Sequence, residues 1–372
     1  MSVPHQMKLD EVEGVVDLIS GIFGFDAQYR RERMIAALRQ PKTWRDTLVI
    51  SENGKPVTHI RTVFTEVSVY GCEFKVASIG TVATDEAFRG RGYAGITLET
   101  CLREMKERGV KVLIVSGSRG LYRRAHCAAA GRAYEAAVTR EQLAPVPTGL
   151  QVRRVGLEDW PTLAPLHQSE PVRFVRPSDL AKRLPFWWDC EYPEVWLIER
   201  QGAPVAYLGL AFGWPRDMAS KRRVTWEYAG SRAAVLEALP LIFAEGGLEE
   251  IVLIGLGHDR ELLYLMQQRG WEPKARPLGG THRLLDLPGL MKIMKPYLAA
   301  RLPRAELRKL TFGQTDDRCT FTYNDQQLEV SLAEAAPLVL GGPNAPLVEG
   351  DLGRVLAEVF PIPFPRPGFD FV

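Results

Sequence analysis

The chain is 372 residues long, enough for two or three domains that each bury a core of their own. Apolar residues make up 46% and charged residues 25%, which excludes a disordered or fibrous chain. With 47 Lys and Arg against 45 Asp and Glu, the formal net charge of +2 gives no general drive toward nucleic acid or an anionic membrane, so neither is expected as a partner and any anion site must be local.

From Leu9 to Phe23 the apolar residues Val12, Val15, Val16, Ile19, Ile22 and Phe23 recur at three- and four-residue intervals and predict a helix, and a second covers about Ala27 to Leu38. Strands follow at Thr47 to Ser51, Val57 to Val67 and Glu73 to Thr84, with tight turns at Asn53-Gly54 and Tyr70-Gly71, so the segment reads as a three-stranded meander. An amphipathic helix from about Ala94 to Arg108 carries Leu98, Cys101, Leu102 and Met105 on one face; the apolar strand Lys111 to Val115 comes next. A short helix near Gly120 to Ala129 and a strand near Ala133 to Thr139 are expected to finish this first unit, residues 1–145.

The stretch Ala144-Pro-Val-Pro-Thr-Gly149 can continue neither a helix nor a central strand and reads as a linker. The second unit, residues 150–287, ends by repeating the earlier order: strand Val224 to Tyr228, helix Arg232 to Ala244, strand Glu250 to Gly255, helix Asp259 to Arg269, strand Thr281 to Leu285. That order marks a diverged internal duplication in which the short Ala229-Gly230-Ser231 link replaces a long basic loop, so the function of that loop is expected to be absent from the second copy. A third region, residues 288–372, starts with a helix to about Leu302 and continues with strands near Leu310, Cys319 to Tyr323 and Leu328 to Ser331. Helices follow near Leu332 to Leu340 and Asp351 to Phe360. Prolines at 361, 363, 365 and 367 stiffen the tail, and the apolar Phe364, Phe369, Phe371 and Val372 predict that it docks.

The segment with the most chemistry in it is Ile79-Gly-Thr-Val-Ala-Thr-Asp-Glu-Ala-Phe-Arg-Gly-Arg-Gly-Tyr-Ala-Gly95, a strand, a basic glycine-rich turn and the opening of a helix. Amides freed by Gly90, Gly92 and the first helical turn can converge on an anion at the positive end of the helix dipole, and Arg89 and Arg91 can add charge-assisted hydrogen bonds. A pyrophosphate fits that description. Gly90-Arg-Gly-Tyr-Ala-Gly95 also satisfies the dinucleotide pattern G-x-G-x-x-G, but five residues separate the strand from its first glycine. The position where a ribose-binding acid belongs reads Val115-Ser116-Gly117, without a carboxylate.

Val82-Ala-Thr-Asp-Glu-Ala-Phe-Arg89-Gly-Arg-Gly92-Tyr-Ala94 resembles the R-x-x-G-x-A acetyl-CoA signature of the GCN5-related N-acetyltransferases (GNAT), whose element order the first unit shares. Ser116-Gly-Ser-Arg-Gly-Leu-Tyr122-Arg-Arg is similar to the tyrosine-bearing helix of the enhanced-intracellular-survival (Eis) type of that superfamily. These proteins join two GNAT domains to a carboxy-terminal domain resembling a sterol carrier protein. One departure is Ala125-His126-Cys127, where the family commonly has phenylalanine-glycine-tyrosine.

The resemblance implies an α/β protein of two tandem GNAT-like mixed-sheet domains and a small α+β domain, acting as a direct acetyl-CoA-dependent N-acetyltransferase. Val82, Ala83 and Thr84 would meet the pantetheine arm, Arg89, Gly90, Arg91, Gly92, Tyr93, Ala94 and Gly95 the pyrophosphate, and Gly117 and Ser118 would complete the coenzyme site. Tyr122 would be the general acid toward the coenzyme sulfur and the carboxylate of Val372 the base for the amine; Arg123 and Arg124 could reach coenzyme phosphates. A phenol with an ordinary pKa of about 10 is protonated at neutral pH, and burial would improve a terminal carboxylate as a base.

The acceptor class left open is a small-molecule or lysine-type amine, and a homo-oligomer is implied. The alternative is a non-catalytic acyl-CoA- or lipid-binding protein. His126 and Cys127 are sequence neighbours on a helix and point apart, so no thiol nucleophile is read from them. The aromatic run Phe186-Trp187-Trp188, with Tyr192 and Trp196, is left unassigned. Six scattered histidines imply no metal. Five spaced cysteines without a C-x-x-C pair, no signal-like amino end and no bilayer-length apolar run lead to the expectation of a cytoplasmic protein.

Overall fold

The computed structural model describes residues 2–24, 28–143, 149–176, 194–212 and 220–370. Its architecture is mixed α/β, built on two seven-stranded sheets and one three-stranded sheet, the class expected from the sequence. The first sheet takes β1 (His5–Gln6), then, after helices α1 (Val12–Phe23), α2 (Gln28–Leu38) and α3 (Pro41–Arg45), the meander β2 (Thr47–Glu52), β3 (Lys55–Val69) and β4 (Cys72–Thr84). Asn53 with Gly54 and Tyr70 with Gly71 all have positive φ, which is how two-residue turns follow the twist of the strands they join.

Helix α4 (Tyr93–Glu107) crosses from β4 to the parallel β5 (Val112–Val115). It buries Leu98, Cys101, Leu102 and Met105 against Leu48, Ile60, Ala77 and Ile79 on one sheet face. On the other face, Val49 packs with Val12, Val15, Val16 and Ile19 of α1 and with Met34 and Leu38 of α2.

The unit does not close on its own next strand. After α5 (Gly120–Arg124), β6 (Ala133–Thr139) leaves the first sheet. The second sheet is built from β7 (Leu150–Val155), β9 (Glu194–Arg200), β10 (Ala203–Ala211), β11 (Arg222–Gly230), β12 (Glu250–Leu256) and β13 (Lys274–Arg276), and β6 sits between β12 and β13. In return β14 (Thr281–Leu284) pairs with β5, and β8 (Val172–Phe174), which follows α6 (Trp160–Gln168), pairs with the far end of β3. The strand expected to finish the first unit is thus a strand of the second sheet, and the expected last strand of the second unit completes the first. Alternation along a strand reports its faces and says nothing of its edges, so the exchange was not visible in the sequence.

Two helices expected to be continuous are broken at proline. Arg232–Glu237 and Leu239–Gly246 meet before Pro240, and Leu287–Ile293 and Lys295–Ala299 meet before Pro296; in each case the proline falls in the first turn of the later helix, where its missing N–H is tolerated. The third sheet, β15 (Leu310–Gln314), β16 (Arg318–Tyr323) and β17 (Gln326–Ser331), carries the helices Leu332–Leu340 and Gly350–Val359.

One apolar cluster joins Val76 and Ile114 of the first sheet, Val252 and Ile254 of the second and Phe321, Val330 and Leu356 of the third, so the three sheets share a core. The tail lies in it: Phe360, Ile362 and Phe364 are buried there, and Phe369 reaches a second cluster with Trp160, Leu197 and Tyr207. Among the described residues no helix is long and apolar enough to cross a membrane.

Candidate active site

The site starts from a defect in β4. Its pairing with β3 slips by one residue between His59 and Arg61, so Thr81 and Val82 together oppose Ile60, and Thr81 takes φ 49°. A β-branched residue is rarely found there, so the bulge must be held by its surroundings. The Nδ1 of His59 is 2.9 Å from the Thr81 carbonyl oxygen. On the other edge of β4, pairing with β5 ends at Ile79 and Val115. From Gly80 to Thr84 that edge has no strand partner among the described residues, and Val82, Ala83 and Thr84 line a wedge between diverging parallel strands.

Beyond the wedge, Asp85 accepts from the Ala87 amide (2.9 Å) and caps the short turn Glu86–Phe88. Gly90 and Gly92 both sit at φ 80°, a conformation open to glycine at little cost. Gly92 is the cap residue of α4 and has no side chain to satisfy the first turn, where the earliest intrahelical bond runs from Ile96 N to Gly92 O (3.1 Å). The amides of Tyr93, Ala94 and Gly95 are left for an outside acceptor.

Arg89 pairs with Glu86 (2.8 Å) and Arg91 lies over the Phe88 ring (4.7 Å). Both are loose surface contacts that a stronger anion can replace. The Tyr93 side chain turns away from this site and its hydroxyl donates to Glu52, tying α4 to β2, so the amide is what Tyr93 offers an anion.

Tyr122, on α5, is buried in the cluster that contains Leu98, Val115 and Cys127, with Val82 packed against it. A side chain at position 117 would stand 2.9 Å from the Tyr122 ring, which explains the glycine there, and Thr281 of the exchanged strand donates to the Gly117 carbonyl (2.8 Å). The segment carrying Gly117 and Ser118 is therefore held by β14. Burial pushes the Tyr122 phenol up, so it is protonated at neutral pH. Its hydroxyl has no hydrogen-bond partner among the described residues. Burial likewise pushes the Cys127 thiol up to about 12, which leaves it protonated and unreactive.

Val372 lies outside the described residues, as do Phe186, Trp187, Trp188 and Tyr192; Trp196 is a core residue of the second sheet. The anchor of the tail was missed in the sequence. Arg176, whose side chain is 2% exposed, binds Asp370 through Nε (2.9 Å) and Nη2 (2.7 Å) and Glu227 through Nη1 (2.6 Å). Burial alone would raise the Glu227 carboxyl, but the Arg176 guanidinium beside it wins and holds it at about 2. These three residues come from distant segments with no spacing that links them.

The second sheet contains the corresponding wedge, since β11 and β12 pair in parallel only from Arg222–Glu250 to Val224–Val252. Ion pairs cross its mouth, and a cavity remains beside them, lined by Glu170, Glu227, Tyr228, Arg232, His258 and Arg366. Glu170 accepts from Gly230 N (2.9 Å) and from Arg232, Arg232 also binds Asp259 (2.8 Å), and Tyr228 donates to Asp259 (2.8 Å).

Residues 4–130 match the family model described as an acetyltransferase (GNAT) domain. Over that stretch the sequence is similar to a GNAT domain. The whole chain resembles a solved GCN5-related N-acetyltransferase from Kribbella flavida, with 17% identity, 99% of each chain covered and a TM-score of 0.68. A GCN5-related N-acetyltransferase from Anabaena variabilis aligns over 100% of both chains with 13% identity and a TM-score of 0.67. Eis1 from Mycobacterium abscessus aligns over 91% of this chain and 90% of its own, with 15% identity and a TM-score of 0.60. At these identities the likeness is one of fold. Among curated proteins none matches.

Proposed function

We propose that this GNAT-like unit makes the chain an acetyl-CoA-dependent N-acetyltransferase that moves the acetyl group directly to a primary amine. The observation carrying this reading is the open wedge at Gly80–Thr84 leading to an uncapped helix start at Gly92. Acetyl-CoA supplies an acyl thioester. The backbone of Val82, Ala83 and Thr84 pairs with the pantetheine arm, while the amides from Gly90 to Gly95, with Arg89 and Arg91, hold the pyrophosphate at the positive end of α4. Gly117 and Ser118 flank the sulfur end.

Tyr122 donates its proton to the departing thiolate, a role that suits a buried, protonated phenol with an unengaged hydroxyl. The Val372 carboxylate takes the proton of the amine; the docked tail, anchored at Asp370, supports this role. No covalent enzyme intermediate is invoked, consistent with the neutral Cys127 thiol. The acceptor enters from the sheet face opposite α4, and lysine side chains, polyamines and aminoglycosides all carry the required amine. We place the domain limits at 1–145, 150–287 and 288–372, read the last as sterol-carrier-like, and expect a cytoplasmic homo-oligomer.

The test is thiol release from acetyl-CoA across a panel of Nα-acetyl-lysine amide, spermidine and kanamycin, beside calorimetry with CoA. Tyr122→Phe should lower kcat by about 100-fold or more while leaving coenzyme affinity unchanged. Equal turnover removes Tyr122 from the mechanism. Tight coenzyme binding with no amine-dependent release in the natural protein favours a non-catalytic acyl-CoA-binding role instead.

A further inference from the structure

His59 is fully buried on β3, paired across the sheet with Val49 on one side and Ala83 on the other. Val49 belongs to the cluster under α1 and α2, whereas the neighbours Leu48 and Ile60 face α4, so His59 lies on the face opposite α4. Its Nδ1 is 2.9 Å from the Thr81 carbonyl. A carbonyl oxygen only accepts, so Nδ1 must carry the proton. That fixes the tautomer and leaves Nε2 with a lone pair.

Nε2 is buried and has no partner among the described residues. A buried acceptor without a donor is costly, and native structures leave few of them unless something outside the chain completes the bond. Two more such atoms among the described residues lie on the same face, one next to His59 in its row and one farther along it. Arg61 Nε, two residues along β3 and opposite Gly80, is buried without an acceptor, and so is Ser78 Oγ, on β4 opposite Val63. Two unpaired polar atoms, His59 Nε2 and Arg61 Nε, therefore flank the bulge on the face opposite α4, while Ser78 lies farther along the strands.

We propose that His59 is an acceptor-binding residue: its Nε2 takes the hydrogen bond of the incoming amine N–H, while its Nδ1–H pins the Thr81 carbonyl that shapes the bulge. The assignment rests on the transferase reading. His59 orients the nitrogen and gains no proton; the proton leaves to the terminal carboxylate. Arg61 supports the same end, because a cation nearby disfavours the ammonium form and an amine must be neutral to attack the thioester.

Asparagine can reproduce the Nδ1–H donor and glutamine can place a polar atom near Nε2, so the two substitutions separate the two bonds. His59→Asn should keep CoA affinity within about 2-fold of the natural protein and lower kcat/KM for the amine by about 10-fold or more. His59→Gln should show the reverse bias, with weaker CoA binding and smaller loss on the amine side. Thermal midpoints of both check the fold.

Nitrogen-15 NMR of the natural protein, labelled at histidine, gives a readout that needs no variant. Nε2 should be the nitrogen without a proton, and its signal should move when spermidine or Nα-acetyl-lysine amide is added in the presence of CoA. A protonated Nε2, or an H59N enzyme as active on the amine as the natural one, overturns the assignment. An amine-dependent shift without turnover leaves the acceptor contact standing and removes the transferase reading. Turnover with an unmoved Nε2 signal does the opposite.

Discussion

Arg176 donates through Nε and Nη2 to a single oxygen of Asp370, two residues before Val372. The Val372 carboxylate is the base in the proposed reaction. A carboxy-terminal tag moves that carboxylate out of range and replaces it with a neutral amide. Turnover of a tagged protein should fall about 100-fold or more with CoA affinity retained, whereas a tag at the amino end should leave both unchanged; steady-state kinetics beside calorimetry reads both quantities. Among single residues, those that lie in one local run were legible. The run from Arg89 to Gly95 was legible as a glycine turn opening a helix, whereas Tyr122 was singled out only through the family resemblance. His59, Arg176, Glu227 and Asp370 were not legible, because their roles come from strand pairing and from contacts between segments far apart in the chain.

The meander, the helix α4 and the strand after it were legible, because apolar periodicity and the two glycine turns report directly on backbone geometry. Edge pairing was not. Since β5 finds its outer neighbour in β14 and β6 finds both of its neighbours in the second sheet, the first unit is incomplete by itself. A fragment of residues 1–145 keeps an unpaired β5 edge and a stray strand, both of which favour association. It should be recovered as aggregates or bound to chaperones rather than as a folded monomer, and size-exclusion chromatography of the fragment against the full chain checks this. A monodisperse fragment with a cooperative thermal transition would show that the exchange is dispensable.

In the whole molecule, buried titratable groups set the range of pH over which the fold is stable. Burial brings His59, His167 and His282 from an ordinary 6.5 to about 4, with Arg176 adding to the effect at His167 and Arg61 at His59. A histidine whose folded value lies below its unfolded one favours folding fully above 6.5 and loses that advantage as pH falls toward 4, on the order of 3 kcal/mol for each ring at the acid limit. Glu227, held at about 2, adds a loss between its ordinary 4.5 and 2.

At the other end, burial lifts the thiols of Cys101, Cys127 and Cys319 from 9 to about 12, so stability declines again as pH rises past 9. Urea midpoints should be level from about pH 7 to 9 and fall on either side. Among the described residues His282 has no partner on either ring nitrogen, and it stands edge-on to Phe364 at 5.5 Å, so His282→Phe should flatten the acid limb. An unchanged limb would place the acid sensitivity elsewhere.

The exchange of strands also sets an order of events during synthesis. β5 leaves the ribosome roughly 170 residues before β14, which at about 5–20 residues per second is an interval on the order of ten seconds or more. Through that time the nascent first unit displays an open hydrogen-bonding edge beside the place where the coenzyme would be held. Gly117, whose carbonyl accepts from Thr281 of the late strand, gains that hydrogen bond only when the strand arrives, so the candidate site is completed near the close of translation and a prematurely terminated product lacks this support.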